Sequence, residues 1–599
     1  MKKLLLIALL MLTVVFVAVA CTEPTEPADT TAAETTAEAG DETTAEVGDE
    51  TTAEAGDETT AEAGDETTAA TGDETTVATG DETTVRSEPV IEPTETVAVP
   101  DYAVNVAVGA SVYAASEYVE AGFFSPGYLV DGIRGGDSRW GWSSSVEMAP
   151  PSDFSITLVL SDVYTLYGIT LVPVKMCAGE GFPSAYEVAV SSDGVNWTTV
   201  VTASGIDAKA ETPDAVEPLV HGFAEAIDAL YVNITIKEFS ATQNDIEVAR
   251  IGDIELAGTF LNVGSDPVVI PDVLVNLAAG LMPDVPTSLE MPPVFSLAYL
   301  TDGIYTNDGS DNYISYVTHT TQAPPEEFYI TFDLGDVTTL YRAIIRPGHA
   351  YSGGAFPKSY ILQASADGDT WKTVVIEANA QLDVESETVI APFVYDFTTA
   401  VEARYFRMKI VAHGDIYADT GIPYSAIGEI EILGECDGPI NVAIGSQITA
   451  TNTWDMADFF GAGFLNDGYY GIEGNKRLGW FCQPGTPVGD LYVTLALSGV
   501  YTIDQIVLKP FPVWDGGGFP GAYELQVSMD GETWETVVTA SDMAAEGAVN
   551  GAEYTLTTPV QAKYVRMQIL EHGIPVHDGS FDMRSGFGEF EVWGMPVID

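Results

Sequence analysis

Beyond about residue 100, apolar and polar residues alternate in short runs rather than recurring at helical spacing. Tyr186-Glu187-Val188-Ala189-Val190 alternates, and so does Tyr564-Val565-Arg566-Met567-Gln568-Ile569, which places Val, Met and Ile on one face. Side chains along a strand point to opposite faces with a period of two, so each run predicts a half-buried strand. Ser191-Ser192-Asp193-Gly194 follows the first run and precedes Trp197. Glycine takes positive φ without steric cost, so Asp-Gly between alternating segments predicts a hairpin. Gly and Pro punctuate the chain every few residues, and no long helical period appears. Many short strands with turn signals predict an antiparallel sandwich.

The pattern occurs three times. Asn-Val/Leu-Ala opens each copy at Asn105, Asn276 and Asn441, and an Asp-Gly follows at Asp131, Asp302 and Asp467. Phe-Pro then leads through a strand and a second Asp-Gly to a tryptophan: Phe182 to Trp197, Phe356 to Trp371, and Phe519 to Trp534. A closing strand ends each copy, from Ile251-Gly252-Asp253, Ile427-Gly428-Glu429 and Phe587-Gly588-Glu589. Irregular landmarks in fixed order divide the body into modules at 101–260, 272–436 and 438–599. At roughly 155 residues, each is large enough to bury its own core. The fold class expected is all-β: three tandem antiparallel β-sandwich domains after a disordered linker.

The first 100 residues follow other patterns. Lys2 and Lys3, the apolar run Leu4 to Val19, and Ala18-Val19-Ala20-Cys21 read as a signal sequence over 1–21. Cysteine directly after such a site resembles the lipobox of bacterial lipoproteins, in which the thiol takes diacylglycerol. That implies a protein lipid-anchored at Cys21 on the extracytoplasmic face of the cell membrane. An ordinary secreted protein and an uncleaved signal anchor are the alternatives. Over 22–100 Gly-Asp-Glu-Thr-Thr recurs with a period of eight from Gly40 to Gly80. A segment so polar, acidic and glycine-rich buries no core, so disorder is expected, with a reach on the order of 250 Å at about 3.3 Å per residue.

Charge narrows the partners. The 599 residues include 90 acidic and 22 basic ones, a net charge of −68. Phosphate recognition needs clustered Lys and Arg, so nucleic acid and anionic membrane surfaces are excluded as partners. Cations, neutral sugars and basic proteins are not. Beyond Cys21 there are Cys177, Cys436 and Cys482, an odd count without C-x-x-C spacing; free thiols or a Cys436–Cys482 bridge both satisfy it. The six histidines are scattered, and no nucleophile motif accompanies them. Signal, linker and three modules use up the chain, so no enzyme and no organic cofactor are expected.

Asn-x-Ala, Leu/Val-x-Asp-Gly, Ser-x-Asp-Gly-x-x-Trp, Tyr-Val-Arg-Met and Glu-Ile-Glu-x-x-Gly, taken in that order, resemble the coagulation factor 5/8 type C, or discoidin, domain. Carbohydrate-binding module family 32 belongs to the same galactose-binding-like group. The resemblance implies a jelly roll of about eight strands with ligand loops at one end. It also implies a structural calcium held by the Asp-Gly loop and a carboxylate of the closing strand. By position the ligands would be Asp131, Asp137 and Asp253 in module 1, Asp302, Asp308 and Glu429 in module 2, and Asp467, Glu473 and Glu589 in module 3. Carboxylates and turn carbonyls suit a hard cation that takes six to eight oxygens; an Asp capping its own turn is the plainer alternative.

Sugar recognition needs a flat apolar surface for the C–H face of the ring and planar polar groups for its hydroxyls. Trp142, Tyr316 and Trp480 align with a core position of the family, and Trp197, Trp371 and Trp534 after the hairpins also read as structural. Loop candidates for glycan contact are Arg139, Trp140 and Lys175 in module 1, and His349, Tyr351, His413 and Tyr417 in module 2. Module 3 offers Trp514, Asp515, His572 and His577. Asn233 stands where the other modules have Arg407 and Arg566, so the sites have diverged. The expected function is non-catalytic binding of cell-surface or environmental glycans. The alternative is an adhesion or protein-interaction scaffold with an envelope protein as partner.

Overall fold

Turn residues close each hairpin that the sequence marks. Ser191 Oγ accepts the Gly194 N–H at 2.9 Å, and Asp193 Oδ1 accepts the N–H groups of Val195 and Asn196, both at 2.8 Å. The same bonds recur around Asp367 and Asp530. Donors converging on a carboxylate favour its ionised form. They hold Asp367 and Asp530 down to about 2, and Asp193 also below its ordinary range.

The structure, a computed structural model, describes residues 95–120, 123–135, 139–149, 154–243, 245–261, 268–291, 295–303, 315–348, 355–386, 389–436, 438–454, 459–468, 470, 478–513, 517–573 and 584–597. Two long strands carry each module. In module 1, Ser155–Val172 and Leu219–Glu238 pair antiparallel and break register between Val159 and Tyr164. Before the break they join Ser111–Ala114 on one side and Ala185–Ser191 with Thr198–Ala203 on the other. After it, Ser155–Val172 joins Asp253–Phe260, which carries Val104–Asn105 at its edge. One strand thus serves both layers of a sandwich. Phe328–Pro347 with Phe393–Ala412, and Leu491–Lys509 with Ala552–Glu571, repeat the plan. Among the described residues the one α-helix is Met543–Asn550.

The alternation read from the sequence faces this core. Ile156, Leu158, Val188, Val190, Val232 and Ile234 are buried with Trp142 between the layers of module 1, and Tyr316 and Trp480 sit in the cores of modules 2 and 3. Each large apolar side chain so buried contributes about 1.5–3 kcal/mol. The opening asparagine ties the two ends of the module together. Asn105 Oδ1 accepts the N–H groups of Ala107 at 3.1 Å and Leu256 at 3.0 Å. Asn276 does the same to Ala278 and Ile432, and Asn441 to Ala443 and Val592. Cys177, Cys436 and Cys482 are free thiols, so the 436–482 bridge is not formed.

Modules also pack on one another. Gly109 and Gly132 of module 1 lie against Ile361, Ala378 and Val411 of module 2, and Lys409 Nζ donates to the Gly109 carbonyl at 3.2 Å. Strand Ser359–Ser365 is therefore buried at every position, whereas its counterpart Ala185–Ser191 keeps Glu187 and Ala189 half-exposed. Modules 2 and 3 meet differently: Gly303 abuts Gly445, and Gly280 abuts Gly468. Gly280 and Gly445 hold the same place in their modules, as do Gly303 and Gly468. The contact is reciprocal, as at a two-fold interface.

Gly303 has φ +70, and a Cβ there would meet the Gly445 backbone. Gly303→Val is expected to part modules 2 and 3 and to cost about 2 kcal/mol or more, since left-handed backbone alone costs a side chain roughly 1–2 kcal/mol. Small-angle scattering of the full chain should show a larger radius of gyration; an unchanged profile would dispose of the reciprocal contact.

Candidate functional site

Each module buries a pair of carboxylates where its Asp-Gly turn meets its closing strand. A short 3-10 helix, Pro126–Leu129, Leu297–Leu300 or Ala462–Leu465, delivers Asp131, Asp302 or Asp467 to the turn. The partners Asp253, Glu429 and Glu589 lie on the closing strand or at its first residue. All six side chains are buried. Gly303 N–H donates to Glu429 Oε1 and Gly468 N–H to Glu589 Oε1, both at 3.1 Å, while Glu429 Oε2 and Asp253 Oδ2 have no hydrogen-bond partner among the described residues. Burial first, then the neighbouring Asp charge, pushes Asp253, Glu429 and Glu589 well above the usual carboxylate range.

Two carboxylates facing each other out of water call for a cation. The modules differ in what they supply. In module 1, Arg139 Nη1 lies 3.1 Å from Asp131 Oδ2, from a backbone at φ +64, yet burial still raises Asp131 to about 6. In module 2, Glu429 lies across from Arg346, whose Nε is engaged by Glu431 at 2.6 Å, and in module 3, Glu589 lies across from Lys509, which pairs with Glu591. The unpaired Glu429 oxygen fits a calcium ion; in module 1 Arg139 already pairs with Asp131, while Asp253 Oδ2 stays open. Among the described residues no three His, Cys, Asp or Glu side chains gather at one point. The expected third ligands Asp137, Asp308 and Glu473 lie outside the described residues.

The loop candidates separate by place. His349, Tyr351, Trp514, Asp515 and His577 fall outside the described residues, as does Cys21. His413 and His572 occupy one equivalent position and act as struts: Nδ1 meets Ser425 Oγ at 2.8 Å in module 2 and Ser585 Oγ at 2.9 Å in module 3. His572 Nε2 also meets the Thr486 carbonyl at 2.8 Å. Burial, and secondarily the charge of Arg139, lowers His413 to about 4. Tyr417 packs edge-on to Tyr424. Trp140 stands 4.5 Å from Phe123 and 5.5 Å from Phe124, measured between rings, and Lys175 pairs with Asp214 at 3.0 Å.

In module 3 the same end of the sandwich holds Trp454, Phe460, Phe481 and Phe511 in one cluster. The buried Arg584 guanidinium lies 4.6 Å over the Trp454 ring. Module 2 has Tyr424 at that position and module 1 has Val248.

The sequence matches the F5/8 type C domain at residues 111–250, 298–427 and 447–579, well over half of the chain. The chain belongs to the F5/8 type C domain family. A search of the curated proteins finds no match. Among solved structures, the three-module chain is similar to a fucolectin from striped bass (Morone saxatilis) serum, at 15% identity over 56% of this chain and 99% of that one, with a TM-score of 0.20. It is similar to a CBM32 module from Clostridium perfringens in complex with GalNAc-β-1,3-galactose, at 19% identity over 25% and 94%, TM-score 0.20. Allantoicase from Saccharomyces cerevisiae is another neighbour, at 13% identity over 56% and 93%, TM-score 0.23. The family assignment rests on the sequence match.

Three residues of these F5/8 type C modules have surroundings that the sequence does not give. Arg139, a glycan-contact candidate by sequence, pairs with Asp131; Arg584 is the sole arginine in the last loop of module 3, and no motif there marks it. Trp197 read as structural but is 41% exposed. A carboxyl that holds its proton better folded than unfolded loses stability as pH rises from its ordinary value toward its folded one. In chelator, Glu429→Gln should therefore be more stable than the parent chain above pH 4.5, by a margin that widens toward neutrality. General repulsion acts on both chains alike, so a margin constant from pH 4 to 8 in thermal melts would count against a protonated Glu429.

Proposed function

We propose that this chain is a non-catalytic glycan-binding protein, held at the cell surface by a lipid on Cys21 and presenting its F5/8 type C modules beyond the acidic linker. The observation that carries the reading is the loop end of module 3. There the Arg584 guanidinium lies over the Trp454 ring at the edge of an aromatic cluster, which fixes a fork of donors for hydroxyls. Calcium at the Glu429 and Glu589 pairs would hold the Asp-Gly turns against the closing strands, neutralising charge that burial leaves uncompensated. In module 1, Arg139 supplies positive charge to Asp131. Single shallow sites bind weakly, and several on one chain raise avidity where geometry lets them engage together.

A protein-interaction or adhesion scaffold is the second reading. It is favoured by the packing of module 1 on module 2 and the reciprocal glycine contact of modules 2 and 3, which join the modules to one another rather than leave them free beads.

A glycan array probed with the full chain, with calcium and with chelator, separates the two. Binding should weaken on Arg584→Gln by on the order of tenfold or more, since a charged hydrogen bond contributes about 1.5–3 kcal/mol. Calcium at 100 times its Kd should add about 2.7 kcal/mol of stability per site, with Glu429→Gln and Glu589→Gln each removing one increment. Retention of no glycan in either condition would leave the scaffold.

A further inference from the structure

The outer face of the first module's sheet differs from the same face in its sisters at four places at once. In module 2, Arg407 lies 3.8 Å over the Trp371 ring and 4.2 Å over Tyr329, and its Nε donates to Gln363 Oε1 at 2.8 Å. In module 3, Arg566 repeats this over Trp534 at 3.9 Å and Tyr492 at 4.5 Å, with Gln526 as acceptor at 2.6 Å. Each hairpin tryptophan is thus roofed by an arginine that a glutamine and a tyrosine hold down. Strand register gives the module 1 counterparts: Asn233 for the arginine, Ala189 for the glutamine and Ser155 for the tyrosine.

Roof and supports are gone together, and Trp197 is left 41% exposed. Its ring is not loose: Trp197 Nε1 donates to the Gly194 carbonyl at 3.2 Å, as Trp371 Nε1 does to Gly368 at 3.0 Å. The face that Arg407 covers in module 2 is therefore the face module 1 leaves open.

A second aromatic appears on the same row. Tyr113 lies across from Thr157, Thr157 from Asn233, and Asn233 from Ala189. Tyr113 is 64% exposed, and modules 2 and 3 carry Asp284 and Thr449 at its position. Between the two rings the floor is polar and uncharged. Asn233 Nδ2 donates to Thr157 Oγ1 at 2.8 Å, and Thr235 Oγ1 donates to Asn233 Oδ1 at 2.9 Å, so the amide plane is fixed. Strands lie about 4.8 Å apart, so the row spans on the order of 10–14 Å, roughly the length of a di- or trisaccharide.

We infer that this row, Tyr113–Thr157–Asn233–Trp197, is a glycan-binding platform on the sheet face of module 1, separate from the loop ends. It takes a neutral oligosaccharide lying across the strands, its C–H faces on the two rings and its hydroxyls on the amide and threonines. Charge and shape exclude the other occupants. The row holds no carboxylate to draw a guanidinium into the vacated roof, and the nearby Asp193 is engaged by its own turn. A neighbouring module does not fit either. The apolar patch on which module 1 sits in module 2, Ile361, Ile376 and Val411, is here Glu187, Thr202 and Lys237, with Lys237 paired to Glu187 at 2.7 Å.

The test uses the full chain and a panel of neutral hexasaccharides (cello-, xylo-, manno- and chito-), followed by calorimetry and tryptophan fluorescence. At least one should bind, and Trp197→Ala should weaken it tenfold or more. Ser155→Tyr/Ala189→Gln/Asn233→Arg writes back the roof that modules 2 and 3 already fold around. It should abolish binding with the melting temperature kept. Binding lost on Arg584→Gln and kept in Trp197→Ala and the roofed chain would overturn the platform while sparing the loop-end reading. Preferential binding of hexa-arginine, sensitive to Trp197→Ala, would overturn the glycan assignment, as would a panel in which nothing binds.

Discussion

One carboxamide fixes where everything else in a module can be. Asn105 Oδ1 accepts two backbone N–H groups, one from the opening turn and one from the closing strand 151 residues later. Each such bond nets only about 1 kcal/mol, but a buried donor left without its acceptor costs more. The opening turn is thereby held beside the Asp-Gly turn, where Gly109 N–H reaches the Val130 carbonyl at 2.9 Å and Gly280 N–H the Thr301 carbonyl at 2.8 Å. Two consequences follow from that placement. The Asp of the turn is set against the carboxylate of the closing strand, which creates the buried pair. The glycines of both turns are brought to the module's surface together, and these are the glycines through which modules touch.

The frame was legible in the sequence because its landmarks are local hydrogen-bond devices. Ser-x-Asp-Gly-x-x-Trp describes a turn in which serine, aspartate and tryptophan each bond to backbone within a few residues. Asn-x-Ala contains half of the asparagine clamp, and only its second bond is long-range. Alternation reported the core for the same reason: a strand's inward positions recur every second residue whatever it packs on.

The site was less legible, since its chemistry depends on groups distant in sequence. Asp131 and Asp253 could be matched by position, but that Arg139 bridges to the first could not. An arginine eight residues on reads equally as a loop contact. His413 and His572 read from the sequence as loop histidines; their partners, Ser425 and Ser585, each lie directly before a strand that returns beside them. The run Tyr360-Ile361-Leu362 lacks alternation because another module covers its outer face, and a single module's pattern gives no reason for that.

Asn233 was visible as a departure from Arg407 and Arg566, but its meaning lies in three dimensions. A half-buried arginine replaced alone by asparagine would be a minor change of surface. Replaced together with the glutamine that accepts its hydrogen bond and the tyrosine beneath it, it uncovers a ring. The same sheet face is therefore put to three uses. Module 2 covers part of it with module 1, module 3 roofs its tryptophan with its own arginine, and module 1 leaves it open. Because side chains on the outer face take no part in the core, these exchanges leave the buried alternation and the asparagine clamp untouched. A repeated sandwich can diverge in function on that face at small cost in stability, which is how three copies of one frame come to present unequal surfaces.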